Sequence, residues 1–132
     1  MAQSFKISTT LPATAKQIYK AWLNAEEHAA FTGKAAEAEQ RVGGRFTAFG
    51  NYIEGTNLKL HLNKKIVQAW RTTEFPAGSE DSTIEIALEE VKGGTKLTLT
   101  HTNIPDGQAD SYKDGWKKLY FKPMKEYFGK KK

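Results

Sequence analysis

The chain has 132 residues, no cysteine and a net charge of +5. A chain of this length buries about two-thirds of the surface that its unfolded form exposes, so we expect one domain, residues 1–132, without a metal or disulfide to stabilise it. The absence of cysteine excludes thiolate nucleophiles, thiolate metal sites and disulfides. No stretch has the apolar length of a signal peptide or a membrane span, so a cytoplasmic protein is expected.

The first 33 residues predict a strand followed by two short helices. The segment FKISTT has the composition of a strand. Thr14 and Gln17 then have the spacing of a capping box, in which two side chains satisfy free backbone N–H groups at the start of a helix. Apolar residues recur at helical spacing as far as Trp22. A second helical piece, AEEHAAF, ends near Gly33.

From about residue 35 to residue 104 the pattern changes to strands. Five segments separated by turn residues are RFTAFGNY, NLKLHLN, KIVQAWRTTE, TIEIALEEV and TKLTLTHT. Apolar and polar residues alternate in several of them, and Leu58, Leu60 and Leu62 are expected to share one apolar face. This alternation is typical of an antiparallel sheet with one face in water.

The segment from about Asp110 to Phe128 predicts a long amphipathic helix. At about 100° per residue, six side chains fall on one face: Tyr112, Trp116, Leu119, Tyr120, Pro123 and Tyr127. Pro123 removes one helical hydrogen bond and crowds the carbonyl of Leu119, so a bend is expected there. The last 20 residues hold eight lysines against two acidic residues, a net charge of +6, and the other 112 residues therefore carry −1.

The predicted order of elements is a strand, two short helices, a run of strands and one long helix. A curved antiparallel sheet wrapped around the C-terminal helix buries the apolar faces of both, so the sequence predicts an α+β helix-grip fold. A sheet curved in this way leaves space between its concave face and the helix.

Four segments, in this order, resemble the family of homologues of the activator of the heat-shock protein 90 ATPase (AHSA-type): GNYIEGTNLKL, KKIVQAWRTTEFPAG, TKLTLTHTNIP and GWKKLYFKPMKEYFG. The resemblance is best from about Gly43 onward and implies a single START-like domain of the SRPBCC superfamily. Eukaryotic two-domain members bind the chaperone and stimulate its ATP turnover, and this chain resembles their C-terminal domain. The resemblance implies a non-enzymatic binding module for a heat-shock protein 90-type chaperone or for a small apolar ligand.

Six side chains are candidates for the cavity between sheet and helix: Trp70, Tyr112, Trp116, Tyr120, His101 and Glu54. His101 extends the inward series of its strand and is expected at the cavity mouth, where an imidazole binds a polar ligand head or acts as a general base. If Glu54 met His101, the pair would support acid–base chemistry. The alternative function is therefore a hydrolase-like or cyclase-like enzyme on the same scaffold.

The sequence carries no nucleophile elbow, no phosphate-binding loop and no metal-ligand spacing, so no catalytic residue, metal or cofactor is predicted.

Arg71, Lys118, Lys122 and Lys125 are the candidate contacts to a protein partner, because arginine is frequent at interface hot spots and lysines accelerate encounter with an acidic surface. A lysine-rich helix whose aromatic residues are buried lacks the arginine forks and exposed stacking rings with which proteins recognise nucleic acids. Nucleic acid is therefore not expected as a partner. Neighbouring strand residues point to opposite faces, so Trp70 is expected in the core and Arg71 at the surface.

Overall fold

The computed structural model describes residues 2–130, except for the side chain of Lys130. Two helices follow the first strand: β1 (Gln3–Leu11), α1 (Ala15–Leu23) and α2 (Ala25–Thr32). Six further strands follow: β2 (Glu37–Ala38), β3 (Arg45–Ala48), β4 (Ile53–His61), β5 (Lys65–Thr72), β6 (Ser82–Val91) and β7 (Gly94–Ile104). The terminal helix has three consecutive parts: α3 (Ala109–Gly115), a π-helical turn (Trp116–Phe121) and α4 (Lys122–Lys130).

The seven strands form one antiparallel sheet in the order β1-β7-β6-β5-β4-β3-β2. Alternate residues of β5, β6 and β7 are buried on the face that meets the helices, while their neighbours face outward. The buried apolar side chains of sheet and helices form one hydrophobic cluster. The predicted α+β helix-grip fold is confirmed. Within residues 2–130, no helix is both long enough and apolar enough to cross a bilayer.

The predicted start of α1 is confirmed atom by atom. The Gln17 N–H donates to the Thr14 hydroxyl at 3.1 Å, and the Thr14 N–H donates to the Gln17 side-chain carbonyl at 2.8 Å. The second helix ends, as expected, at Gly33, whose φ of 78° lies in the left-handed region that glycine adopts without steric cost. These local signals determine where α1 begins and where α2 ends.

Strand β4 departs from the predicted alternation. A bulge between Asn57 and Lys59 shifts the register against β5, and an extra residue reverses the faces of the strand that follows. Leu60 therefore turns toward the core and is half-buried, whereas Leu58 (the extra residue) and Leu62 (in the turn after the strand) are exposed. The prediction of one buried face for all three leucines is wrong for Leu58 and Leu62.

The terminal helix buries side chains spaced by four residues: Tyr112, Trp116, Tyr120, Met124 and Phe128. In a regular α-helix each step of four residues rotates a side chain by about 40°, so Phe128 would point about 160° away from Tyr112. The π turn takes up one extra residue and removes about 100° of this rotation. The series therefore stays on the face that meets the sheet.

The π turn changes which side chains of the terminal helix face the sheet. A uniform step per residue places Leu119, Pro123 and Tyr127 inside, but beyond the π turn the buried positions are shifted by one residue. Met124 and Phe128 are buried, Pro123 and Tyr127 are half-buried, and Leu119 is 53% exposed. The inward position predicted for Leu119 is wrong.

Pro123 explains where the π turn lies. Its ring crowds the carbonyl four residues earlier, which belongs to Leu119, and it has no N–H to donate. The N–H of Lys122 bonds to the carbonyl of Lys117, five residues back, so the turn before the proline is wider than an α-helical turn. The distortion expected at Pro123 thus takes the form of a π turn.

Candidate functional site

A groove of about 340 Å³ opens between the terminal helix and the inner face of β4 and β5. Most of its lining side chains are aromatic and none is charged: Phe49, Tyr52, Ile53, Trp70, Ser111, Tyr112, Gly115, Trp116, Leu119 and Tyr120. An uncharged aromatic wall favours an apolar occupant, because a buried charge is costly without a partner.

Four of the predicted cavity side chains line this groove. The ring centroid of Trp70 lies 5.5 Å from that of Trp116 and 5.1 Å from that of Tyr112, and the Trp116 and Tyr120 centroids are 4.6 Å apart. All four side chains are buried. They therefore form a packed aromatic wall behind the groove and present only a small part of each ring to it.

Phe49 and Tyr52 complete the wall from the turn between β3 and β4. Phe49 has a φ of 52°, in the left-handed region where a residue other than glycine is strained by about 1 kcal/mol, and its ring meets Tyr120 at a centroid distance of 5.7 Å. The strand pattern of RFTAFGNY does not indicate either residue as a site residue. The signal that marks them is the turn pair Gly50-Asn51 inside that segment.

The tyrosine hydroxyls beside the groove are committed to hydrogen bonds. Tyr52 donates to the carboxylate of Glu74, and burial together with this bond raises the pKa of Tyr52 to about 12. Tyr112 donates to the side-chain carbonyl of Gln108 at 2.6 Å and accepts from the Thr72 hydroxyl at 2.7 Å. Burial raises the pKa of Tyr112. Both phenols are therefore neutral at neutral pH.

His101 lies behind the aromatic wall and not at the mouth of the groove. It is fully buried; the Trp116 indole N–H donates to Nδ1 at 3.1 Å, and Nε2 lies 2.8 Å from the Ser82 hydroxyl. Because Nδ1 accepts, the proton lies on Nε2 and is donated to Ser82, whose hydroxyl donates to the Trp70 carbonyl at 2.6 Å. Burial lowers the pKa of His101 to about 3. The position predicted at the cavity mouth is wrong, and neither ring nitrogen is free for a ligand.

Glu54 lies on the opposite face of the sheet from His101. It pairs across the strands with Arg71, and its carboxylate is 3.6 Å from the guanidinium of Arg45 on the half-exposed outer surface. Glu54 therefore does not line the groove, and the acid–base pair that would support the alternative enzyme does not form.

Arg71 also lies on the outer face, next to the buried Trp70. Its guanidinium donates to the carboxylate of Asp81 at 2.8 Å and to the carbonyl of Ser79 at 3.0 Å. Its guanidinium carbon lies 5.4 Å from the centroid of the Phe75 ring. These contacts hold the loop between β5 and β6 against the sheet.

A second buried histidine, His28, joins α2 to the terminal helix. Its Nδ1 lies 2.9 Å from the carbonyl of Trp22 and must donate, so Nε2 accepts from the Tyr120 hydroxyl at 2.9 Å. Burial lowers the pKa of His28 to about 4 and raises the pKa of Tyr120. The sequence signal was its position three residues before Phe31, on the apolar face of AEEHAAF.

A chain of buried polar side chains continues from Trp22. Its indole N–H donates to the Gln68 carbonyl at 3.1 Å, and the Gln68 amide donates to the Asn57 side-chain carbonyl at 2.8 Å. The Asn57 amide then donates to the backbone carbonyls of Glu39 at 2.7 Å and Arg41 at 3.1 Å. The network ties α1 through the sheet to the turn that precedes β3.

The predicted partner contacts on the terminal helix are exposed. Lys118, Lys122 and Lys125 lie in water, and Lys118 makes a solvent-exposed ion pair with Asp114 at 3.1 Å. Leu119 is exposed beside them. Across residues 2–130, no three histidine or carboxylate side chains are placed to hold a metal ion.

The sheet order, the terminal helix and the groove between them define a protein of the START-like helix-grip class. Residues 12–129 match the family described as "Activator of Hsp90 ATPase homolog 1-like protein", and the chain belongs to this family. The resemblance seen in the sequence is thereby confirmed.

The curated relatives in this family are longer than the chain. An activator of 90 kDa heat shock protein ATPase homolog from Dictyostelium discoideum is 26% identical over 126 residues, which cover 96% of this chain and 33% of that protein. Homolog 1 from Homo sapiens is 28% identical over 123 residues, 93% of this chain and 36% of that protein. The chain thus spans about a third of these curated relatives. The crystal structure of an HSP90 activator from Plasmodium falciparum matches with a TM-score of 0.88 at 27% identity and covers 96% of both chains.

Proposed function

We propose that this chain is a non-enzymatic module that binds a chaperone of the Hsp90 type in the cytoplasm. The observation that carries the proposal is the family match over residues 12–129. The solved Plasmodium falciparum protein, which matches over nearly the full length of both chains, is described as an HSP90 activator. His28 and His101 have both ring nitrogens hydrogen-bonded inside the protein, so neither offers a free general base, which suits a binding role.

The exposed side of the terminal helix is the proposed contact surface. Lys118, Lys122 and Lys125 follow one another at spacings of four and three residues and so share one side of the helix, and Leu119 lies three residues before Lys122. An apolar side chain among lysines suits an acidic partner surface, which would accelerate encounter and make association depend on salt. Arg71 is already bound by Asp81, and we assign it to the loop that it holds.

The test is titration of the purified cognate chaperone with the wild-type chain and with a Lys118→Glu/Lys122→Glu/Lys125→Glu variant. We expect the triple variant to bind at least about tenfold more weakly, because an exposed charge pair contributes up to about 1 kcal/mol and each lysine-to-glutamate change replaces attraction by repulsion. A Lys6→Glu/Lys16→Glu/Lys96→Glu variant carries the same change in net charge at exposed positions elsewhere and should bind like the wild type. No binding by the wild-type chain at low salt would end the proposal.

The groove supports a second proposal, that it holds a small uncharged apolar molecule. Its volume of about 340 Å³ lies in the range of small-molecule sites. The left-handed backbone conformation of Phe49 is strained and holds an aromatic ring at the groove. Strain of this kind is frequent at binding sites.

Gly115 provides a direct test of the groove. It lies in the groove wall with helical φ, and a Cβ added there meets no heavy atom within 4 Å. Gly115→Leu should therefore fill the groove and reduce binding of the uncharged dye Nile red at least about tenfold. Gly129→Leu is the matched control, since it adds the same side chain to an equally open helical glycine outside the groove. Equal dye binding by both variants would remove the ligand proposal.

A further inference from the structure

The described residues carry five large apolar side chains that are exposed, and three of them lie at one end of the sheet. These are Val42 (58% exposed), Leu58 (43%) and Leu62 (74%). We name them, with Lys59 and Lys64, the hairpin patch, after the turn between β4 and β5 that it surrounds. Strand β4 runs from the groove-lining Ile53 to His61, a distance of about 27 Å, and Leu58 lies about 17 Å along it. The patch therefore occupies the second half of this strand and the turn that follows, away from the groove.

Backbone hydrogen bonds hold Val42 next to Leu58. The Gly43 N–H donates to the Asn57 carbonyl at 2.8 Å, and the Asn57 N–H donates to the Gly44 carbonyl at 2.9 Å. The turn that contains Val42 is therefore bonded to the residue that immediately precedes Leu58. Gly44 is required in this turn, because a Cβ there would lie 2.7 Å from the Cβ of Glu39.

The buried polar network makes this arrangement rigid. Asn57 is buried, and its side-chain amide donates to the carbonyls of Glu39, before the turn, and Arg41, the first residue of the turn. Gln68 and Trp22 anchor Asn57 from within the core. The turn that contains Val42 is thus held against β4, which lowers the entropic cost of binding a partner at this part of the patch.

The edge of β4 beside the patch has no neighbouring strand. Pairing with β3 extends only to Thr56, opposite Arg45, so the strand beyond Asn57 is uncovered on that side within residues 2–130. Lys59 and Lys64 are exposed and make no ion pair with any described residue. Exposed apolar side chains, an open strand edge and two lysines without an ion pair therefore occur in the second half of β4 and the turn that follows it.

We propose that the hairpin patch is a second docking site for the chaperone, which meets it with apolar side chains beside carboxylates. The inference rests on the proposed function and adds a contact at the far end of β4. The unpaired lysines set the charge of the partner surface, and the leucines supply an apolar centre of the kind found in protein interfaces. A membrane surface is the less favoured occupant, because the patch has no aromatic side chain and lies on a turn and strand edge instead of an amphipathic helix. Two sites on one partner would strengthen binding through effective concentration.

The experiment compares two patch variants with a matched control. Leu58→Ser/Leu62→Ser removes the apolar centre, and Lys59→Glu/Lys64→Glu reverses the charge. Val91→Ser/Lys92→Glu changes an exposed apolar residue and a lysine at the neighbouring turn between β6 and β7. All the substituted side chains are exposed, so each variant is expected to fold with nearly wild-type stability.

Titration of the purified chaperone should give at least about tenfold weaker binding for both patch variants and less than twofold change for the control. If the wild-type chain binds and the patch variants bind equally well, the inference is overturned and the proposed function stands. If the wild-type chain does not bind, both fail. Vesicles of phosphatidylserine and phosphatidylcholine test the other occupant: patch-dependent sedimentation with unchanged chaperone binding would reassign the surface to membranes and overturn the inference.

Discussion

Trp70 and Arg71 are adjacent in the sequence but have separate roles. The Trp70 ring packs against His101 and Tyr112 at centroid distances of 4.7 and 5.1 Å inside the core. Arg71, on the outer face, binds Asp81 and fixes a loop. Strand alternation separates the two side chains, so this family signature describes the architecture of the sheet and not a joint chemical site.

The two buried histidines predict that the protein is sensitive to acid. Burial lowers the pKa of His28 to about 4 and of His101 to about 3, from an ordinary value of about 6.5. Between pH 6.5 and these values the unfolded chain binds protons that the folded chain does not. The free energy of unfolding therefore falls as the pH falls, by about 1.4 kcal/mol per pH unit for each histidine below about pH 6.

Urea unfolding between pH 7 and pH 5 measures this dependence. We expect a loss of about 3 kcal/mol between pH 6 and pH 5 when both histidines contribute, in a range where carboxylates stay mostly ionised in both states. His28→Gln should remove about half of the slope, whatever its effect on stability at pH 7. A stability that is constant from pH 7 to pH 5 would contradict the assignment of neutral histidines.

At the level of elements, the π turn predicts which residues the terminal helix can lose. Deleting Leu119 and changing Pro123 to Ala removes the extra residue and its proline, and a regular α-helix then keeps the buried series on one face. The free energy of unfolding of this variant should lie within about 2 kcal/mol of the wild-type value. Deleting Lys113 instead rotates Tyr112 by about 100° from the rest of the series, and the lost burial should cost at least about 3 kcal/mol.

Urea unfolding and near-ultraviolet circular dichroism distinguish the two deletions. The Leu119 variant should keep the aromatic signal of the packed wall, and the Lys113 variant should lose it. If both deletions are equally damaging, the π turn does not act as a one-residue insertion that sets the phase of the helix.

Periodicity in the sequence predicted the elements but not the single-residue changes within them. Alternation and helical spacing depend on local sequence, so six of the seven described strands, both short helices and the helix-grip order were accessible. The two-residue strand β2 was not predicted, and residues 49–52, predicted as part of a strand, form a turn. The bulge at Asn57 and the π turn before Pro123 each insert one residue, so the positions predicted for Leu58, Leu62 and Leu119 are wrong. The π turn had a sequence signal, a proline within a helix. The bulge had none, because the burial of Asn57 is visible only in the structure.

The predicted part of the groove consists of three side chains on the terminal helix and Trp70 on β5. Tyr112, Trp116 and Tyr120 share a helix face and could be grouped from spacing alone. Phe49 and His28 reach the same aromatic cluster from elements far away in the sequence, and no local pattern reports such a meeting. The fold had to be known before they could be assigned.

At the level of the whole molecule, the sheet combines very local and very distant pairings. Strands β6 and β7 form a hairpin in which Leu88 faces Leu97, whereas β1 pairs with β7 so that Leu11 faces Thr95. Closing a long loop costs more entropy than closing a hairpin and slows folding. We therefore predict that the β6–β7 hairpin is formed in the folding transition state and that β1 docks later.

Stopped-flow kinetics of two alanine variants test this order. Leu97→Ala and Leu11→Ala each remove a fully buried side chain and should each cost about 2–5 kcal/mol, enough for a reliable comparison. Leu97→Ala should mainly slow folding, and Leu11→Ala should mainly accelerate unfolding. If the two variants slow folding and accelerate unfolding to the same extent, the predicted order is contradicted.

The pairing of β1 with β7 has a consequence during synthesis. The first strand leaves the ribosome about 90 residues before its partner, which at about 5–20 residues per second is a delay of roughly 5 to 20 seconds. Lys6, Ser8 and Thr10, which face outward in the finished sheet, interrupt the apolar positions of the strand. This polar alternation limits premature association with other nascent chains until β7 emerges and covers the strand.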